Sequence, residues 1–479
     1  MSDHDLIWLG AAEAAALIRA KRLSPTELVQ AYLDRIDQLD ATFHAYIAVC
    51  RDEALAAARA AEQSVARGDA IGPLHGVPIA VKDQFHARGM ATTAGSRVLA
   101  HMIADEDATI VARLRKAGAI LLGKLNLSEF ALGGTLDPPF GQPRNPWDPD
   151  RDPGGSSSGS GVAAALALAS ATLGEDTGGS VRSPAGWCGA VGLRPTWGLV
   201  SRHGTIPVSW SMDIAGPLAR NVRDCAVLLR VIAGHDELDP LSSARAVPDY
   251  EAALRDDARG LRIGVIRELS AGPETDGEVK GAVTSAGTLL GHLGATVDDI
   301  SLPLLPLAGA VFMALADSEG AGFHARWLRE RPQDYDPGTR RRLLTASLVP
   351  ATLYHQAERA RVLIRDQVWN ALRRYDLLLA PTAPTPAPLI ATTKARIESG
   401  VAAARRFFTR RSYTTPASLA AVPAISLPCG FTQSGLPIGL QLIARRFEEP
   451  TLLRAAYAYE QTTTWHARRP PETPAPSPP

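Results

Sequence analysis

Two glycine-serine turns carry the residues most able to do covalent chemistry. The first reads Gly154-Gly155-Ser156-Ser157-Ser158-Gly159-Ser160 and the second Asp176-Thr177-Gly178-Gly179-Ser180-Val181-Arg182. Glycines ahead of Ser180 let its backbone approach a substrate closely and present N–H groups to a developing oxyanion. A serine nucleophile also needs a base. No histidine lies within twenty residues of Ser180, and the first to follow it, His203, is 23 residues on. The upstream candidate is Lys82, at the end of the β-rich run Val77–Val81. Lysine serves as a base when burial keeps it neutral. Spacing alone leaves a bland alternative open, in which both segments are ordinary turns and 152–161 is a flexible linker. Against the linker, the segment runs directly into the apolar stretch 162–173.

Other chemistries fit less well. Gly118, Gly123 and Lys124 nearly make a phosphate-binding loop. However, Leu125 stands where the metal-binding Ser or Thr belongs, and the intervening residues read as a strand. Gly159-x-Gly161-x-x-Ala164 has no strand before it, which counts against a dinucleotide fingerprint. The four cysteines, Cys50, Cys188, Cys225 and Cys429, are far apart and form no C-x-x-C pair. Neither zinc nor a disulfide framework is expected, and Cys188 reads as a core thiol. No metal and no cofactor is called for.

The elements that must position these residues follow from composition and pattern. The chain has 479 residues, 46% hydrophobic and 21% charged, which excludes wholesale disorder. Fifty basic residues balance fifty acidic ones, so no global field draws nucleic acid or an anionic membrane. Arg405, Arg406, Arg410 and Arg411 read as a solvated helix face, with contact to an anionic substrate or partner as the alternative. The acidic start lacks a signal-peptide pattern, and the apolar run 162–173 falls short of the ~20 residues of a membrane span. A cytoplasmic protein without membrane or nucleic-acid partners is expected, and a homodimer stays open.

Residues 1–70 read as helical, with Ser24 capping a helix that starts at Pro25. An α/β core spans 71–300, with strands at 77–81, 119–122 and 261–266. Residues 301–415 read as a helical, variable cap, apart from the strand candidate 377–380, and 416–468 return to the core with strands at 424–427 and 436–443. The Pro-rich tail 469–479 reads as disordered. The stretch 162–173 is expected to be one buried helix that carries the chain away from Ser156 and back towards Ser180.

The chain resembles the amidase signature family. The resemblance rests on Gly76-Val77-Pro78-Ile79-Ala80-Val81-Lys82-Asp83, Gly123-Lys124-Leu125-Asn126-Leu127-Ser128-Glu129-Phe130-Ala131, Asn145-Pro146-Trp147-Asp148, the two glycine-serine turns, Gly192-Leu193-Arg194-Pro195-Thr196, Ser211-Met212-Asp213 and, near the end, Pro423–Pro428 and Gly435–Gln441. It covers about residues 5–470. One small departure is Leu125, where many members have Thr.

The resemblance implies a large mixed central β-sheet with helices on both faces, and a serine–cis-serine–lysine triad. By position Lys82 matches the lysine, Ser156 the cis-serine and Ser180 the nucleophile, with the family's usual separation of 24 residues between the serines. Thr177, Gly178, Gly179 and Ser180 would supply the oxyanion hole, while Phe130 and Gly133 would line the acyl pocket. Asp176 and Arg182 are expected to pair and fix the turn. The implied activity is hydrolysis of a small amide, anilide, ester or carbamate through an acyl-enzyme on Ser180. The stretches Asp317-Ser318-Glu319 to His324 and Tyr335-Asp336-Pro337 look like general bacterial amidases, and a small-molecule substrate is expected. The alternative is a glutaminyl-tRNA amidotransferase A-type subunit, ranked second because its Arg-Tyr-Gly type sequence is not found in this region.

Overall fold

A computed structural model describes residues 6–390 and 408–471. Among these residues, eleven strands form a single mixed sheet. They are β1 (Tyr46–Val49), β2 (Pro78–Lys82), β3 (Ile120–Leu125), β4 (Ala171–Glu175), β5 (Val191–Arg194), β6 (Ala215–Ala219), β7 (Arg262–Ile266), β8 (Thr296–Ile300), β9 (Leu377–Pro381), β10 (Ala424–Phe431) and β11 (Pro437–Ala444). Their spatial order is β1-β3-β2-β4-β6-β5-β10-β11-β9-β7-β8. Strands β3, β2 and β4 run parallel, as do β9, β7 and β8, while the centre from β4 to β9 is antiparallel.

Both faces of the sheet are buried, and β9 shows how. Leu377 and Leu379 join one apolar core, whereas Leu378 and Ala380 join a second. Alternate residues of a strand point to opposite faces, so a continuous apolar run serves two cores. The first core is closed by helices Val222–Ile232, Gly277–His292 and Glu449–Gln461. The second is closed by the long helices Ala308–Glu330 and Ala351–Arg374. Residues 6–70 are mostly helical, with β1 among them. Helix Pro25–Phe43 starts as its sequence predicts: Ser24 Oγ accepts N–H bonds from Thr26 (3.1 Å) and Glu27 (3.2 Å), and Pro25 is the first helical residue.

One local expectation needs correction. The stretch 162–173 is not a single helix: the helix Ser158–Ala165 stops, Ala167 takes a left-handed backbone (φ 53°), and the chain returns as β4. The return is thus made by a strand, which a run of small apolar residues does not distinguish from helix. Gly174 inside β4 has a specific use. A Cβ there would lie 2.7 Å from Ser157 Oγ, so the missing side chain admits the loop that bears Ser156. Residues 405–407 and the tail from 472 lie outside the described residues, so the expectations for Arg405, Arg406 and the end of the tail are not addressed by the fold.

Candidate active site

The parallel strands β2 and β4 end side by side, and each ends on a residue of the site. Lys82 is the last residue of β2 and Glu175 the last of β4. Beyond β4 the turn 176–181 leads into helix Arg182–Cys188. Ligand sites in such sheets form outside the carboxyl ends of the strands.

Lys82 Nζ donates to Ser156 Oγ at 2.9 Å. The peptide bond Gly155–Ser156 is cis. Ser157 N–H donates to Ser180 O at 3.2 Å, which ties the Ser156 loop to the Ser180 turn. Ser156 and Ser180 line one cavity of about 450 Å³, whose walls also include Ser128, Gly133, Gly178 and Thr414. Phe130 points elsewhere: it is buried in a ring cluster with His324, Trp327 and Tyr335. Of the two acyl-pocket candidates, the structure therefore brings Gly133 to the cavity and not Phe130.

The Ser180 turn is held by a buried charge cluster. Asp176 accepts from Arg182 Nε (3.1 Å), Arg182 Nη2 (3.0 Å) and Arg194 Nη1 (3.1 Å). It also accepts the backbone N–H of Gly179 (2.8 Å) and Val181 (3.2 Å). Burial alone would raise the Asp176 carboxyl, but the two guanidiniums outweigh it and hold it well below the usual carboxylate range. Thr414 Oγ1 donates to Gly178 O at 2.6 Å, and Arg182 Nη1 donates to Thr414 O at 2.7 Å. The pairing of Asp176 with Arg182 is thus structural, and Arg194 and Thr414 extend it.

Both glycines of the turn are required. A Cβ on Gly178 would overlap the Phe312 ring, and one on Gly179 (φ 121°) would overlap the Thr414 side chain. Backbone at that φ is costly for any side chain, by about 1–3 kcal/mol. Gly179→Ala is expected to lower stability by roughly that amount, read from denaturant midpoints, and to slow acylation of Ser180 in rapid-quench experiments. An alanine variant with unchanged stability and rate would show that the turn does not need this geometry.

Behind Lys82 stand two further acids. Glu175 Oε2 faces Lys82 Nζ at 3.6 Å and has no hydrogen-bond donor among the described residues, while Oε1 accepts from Thr177 Oγ1 at 2.8 Å. Asp213 accepts N–H bonds from Val208 (2.8 Å) and Ser209 (2.9 Å). Burial lowers the Lys82 ammonium despite the opposing pull of Glu175 and Asp213. Burial likewise raises Glu175, against the pull of Lys82, and raises Asp213 further with the help of Glu175. Both directions have one cause: burial disfavours the charged form of Lys82 and of Glu175.

Glu175, Asp213 and Arg194 gave no catalytic signal in the sequence, although Arg194 and Asp213 lie inside the motifs quoted there. The basic cluster also reads differently in three dimensions: Arg410 and Arg411 are not a solvated helix face but line the cavity. Cys188 is a core thiol, donating to Pro153 O at 3.2 Å, with burial raising its pKa. Among the described residues no group of His, Cys, Asp and Glu is placed to hold a metal, and no helix is long and apolar enough to cross a membrane.

The family model described as Amidase matches residues 27–453. A curated relative, the glutamyl-tRNA(Gln) amidotransferase A-type subunit of Moorella thermoacetica, is 42% identical over 97% of this chain and 99% of its own. Among solved structures, a chain from a vestigial protein complex bearing on the origins of an s-triazine catabolic enzyme superposes with a TM-score of 0.87. It is 35% identical, and the match covers 95% of this chain and 98% of that one. The peptide amidase of Stenotrophomonas maltophilia gives 0.81 at 35% identity, covering 97% and 98%. The curated relative is of the class that the sequence ranks second, so the comparisons place the amidotransferase reading ahead of the small-amide hydrolase.

Proposed function

The chain belongs to the amidase signature family, and from that premise we propose that it cleaves an amide C–N bond through an acyl-enzyme on Ser180. The observation that carries this reading is the Lys82 Nζ to Ser156 Oγ hydrogen bond of 2.9 Å, in a cavity that Ser156 shares with Ser180. Neutral Lys82 takes the Ser156 proton while Ser156 takes that of Ser180. Ser180 Oγ attacks the amide carbon and the carbonyl oxygen becomes an oxyanion. Gly179 N–H is engaged by Asp176, so the oxyanion is assigned to the N–H groups of Thr177, Gly178 and Ser180. A strong donor of this kind contributes about 3–4 kcal/mol to the transition state. The C–N bond breaks as Ser156 delivers its proton to the leaving nitrogen and recovers one from Lys82. Water then attacks the ester, releases the acid and restores Ser180.

At the finer level the reading favoured is an amidotransferase A-type subunit. It would release ammonia from a primary amide for a second reaction and work beside partner subunits on tRNA. High identity to such a protein over nearly the whole chain supports this. The second reading is a stand-alone hydrolase of a small amide. It is favoured by the missing Arg-Tyr-Gly type sequence in the region of 317–337 and by the likeness to the peptide amidase.

The test is mass spectrometry of quenched reactions, with ammonia or amine release followed in parallel. The panel contains glutamine, other primary amides, anilides, aryl esters and carbamates. An acyl adduct on Ser180 is expected. Release from glutamine only after partner subunits and tRNA are added selects the first reading, and release by the chain alone from a small amide selects the second. A panel that leaves Ser180 unmodified under both conditions overturns amide cleavage itself.

A further inference from the structure

We propose that Asp336 is a positioning residue for substrate selection. It staples the cavity wall 132–137 to the helix that follows it, and so sets which acyl chains reach Ser180. This deepens the amide-cleaving reading and rests on it.

The wall needs an outside restraint. Leu132, Gly133, Gly134 and Thr135 line the cavity that holds Ser180. Gly133 and Gly134 are successive left-handed residues, with φ of 78° and 79°. Glycine loses more conformational freedom on ordering than any other residue, so two in a row resist being held in one shape. Among the described residues, nothing lies within 4 Å of the place that a Cβ on Gly134 would take. Side-chain packing at that point therefore does not fix the wall.

Asp336 supplies that restraint. Its Oδ2 accepts the backbone N–H groups of Leu136 and Asp137, both at 2.8 Å. Its Oδ1 accepts from the N–H groups of Gly338 (2.8 Å) and Thr339 (3.1 Å), which caps helix Pro337–Ala346. One buried carboxylate thus joins two segments 200 positions apart. The Asp336 N–H donates to Glu129 Oε2 at 3.0 Å, and Glu129 Oε1 accepts from Ser96 Oγ at 2.6 Å. The Glu129 N–H donates in turn to Thr135 Oγ1 at 3.0 Å, which closes a ring of bonds around the wall. A Cβ on Gly338 would overlap Gly134 O, so the first turn of the helix lies directly on the wall. Bonds to a carboxylate are about twice as strong as those between neutral groups. Asparagine keeps one acceptor oxygen in place of two, so Asp336→Asn strips one segment of its acceptor.

The experiment joins acetyl, butyryl and hexanoyl groups to one leaving group, the best cleaved in the panel above, and measures kcat and KM for each. In Asp336→Asn, kcat/KM for the hexanoyl substrate should fall by about 10- to 100-fold through KM, the effect of a misplaced contact. The acetyl substrate, too short to lean on the wall, should keep its value, and kcat should hold for both. Hydrogen exchange should show the Leu136 and Asp137 amides losing protection. Gly134→Ala strains the wall at a left-handed residue without touching Asp336, and should shift the hexanoyl-to-acetyl ratio the same way. The double variant should add little to either single one. Ser24→Ala removes a helix cap elsewhere and should leave the ratio unmoved, which separates stapling from a general loss of stability. A ratio unmoved in both Asp336→Asn and Gly134→Ala overturns this inference and leaves amide cleavage standing. So does a parent protein that cleaves none of the three substrates but cleaves another member of the panel. If nothing in the panel acylates Ser180, the amide-cleaving reading falls and takes this inference with it.

Discussion

Lys82→Met is expected to lower kcat by about two to four orders of magnitude, the range that a positioned general base contributes. Methionine keeps most of the volume of a side chain that is fully buried, so the effect should fall on the rate and not on folding. The pH profile sharpens the test. Activity should rise with pH as the Lys82 ammonium loses its proton, and burial sets that rise below the ordinary lysine value. Glu175 pulls the other way, since its carboxylate favours the ammonium 3.6 Å away. Glu175→Gln removes that pull, so the rise should move to lower pH. The Lys82→Met profile should lose the rise altogether. A Gln variant whose profile moves to higher pH, or a Met variant with full turnover, would remove Lys82 from the proton path.

The second large effect concerns stability. Asp176→Ala would leave Arg182 and Arg194, both fully buried, without the carboxylate that neutralises them. Removing one partner of a buried charge cluster costs about 3–5 kcal/mol, because the remaining charge stays desolvated. Urea unfolding should report a loss of that size, and a loss below about 1 kcal/mol would show that water reaches the guanidiniums. The sign of the pH dependence follows from the depressed carboxyl. Its contribution is complete above the unfolded carboxylate value, about 4, and is lost as pH falls from there towards the folded value. Asp176→Asn should therefore lose less stability than the parent on going from pH 4 to pH 2, when both are followed by denaturant midpoint.

Much of the site is legible in the sequence because its chemistry sits in short contiguous stretches. Lys82, Ser156 and Ser180 stand in glycine-marked motifs whose order survives without any three-dimensional knowledge. Strands β2, β7, β9, β10 and β11 are equally legible, since each is a compact apolar run. Strands β4, β5 and β6 are not: Ala171–Glu175 continues the run of small apolar residues begun in helix Ser158–Ala165, Val191–Arg194 is four residues long, and Ala215–Ala219 has no Val, Ile or aromatic residue. Their strand character comes from pairing with neighbours and not from their own pattern. Glu175 and Arg194 escape notice for a related reason. A charged residue announces burial only through the partner it meets, and those partners, Lys82 for Glu175 and Asp176 for Arg194, come from distant parts of the chain. The basic residues Arg410 and Arg411 look like a solvated surface because helical spacing cannot tell an outward face from the wall of a cavity.

The bond from Thr414 to Gly178 spans 236 positions of sequence, and Arg182 reaches as far as Gln441 in β11. A polypeptide still emerging from the ribosome has made Ser180 long before it has made either partner. Its nucleophile turn lacks the clamp until nearly the whole protein has been synthesised, and the central strands β10 and β11 arrive in the same late stretch. A chain cut short of Thr414 would hold Ser180 in an unclamped turn.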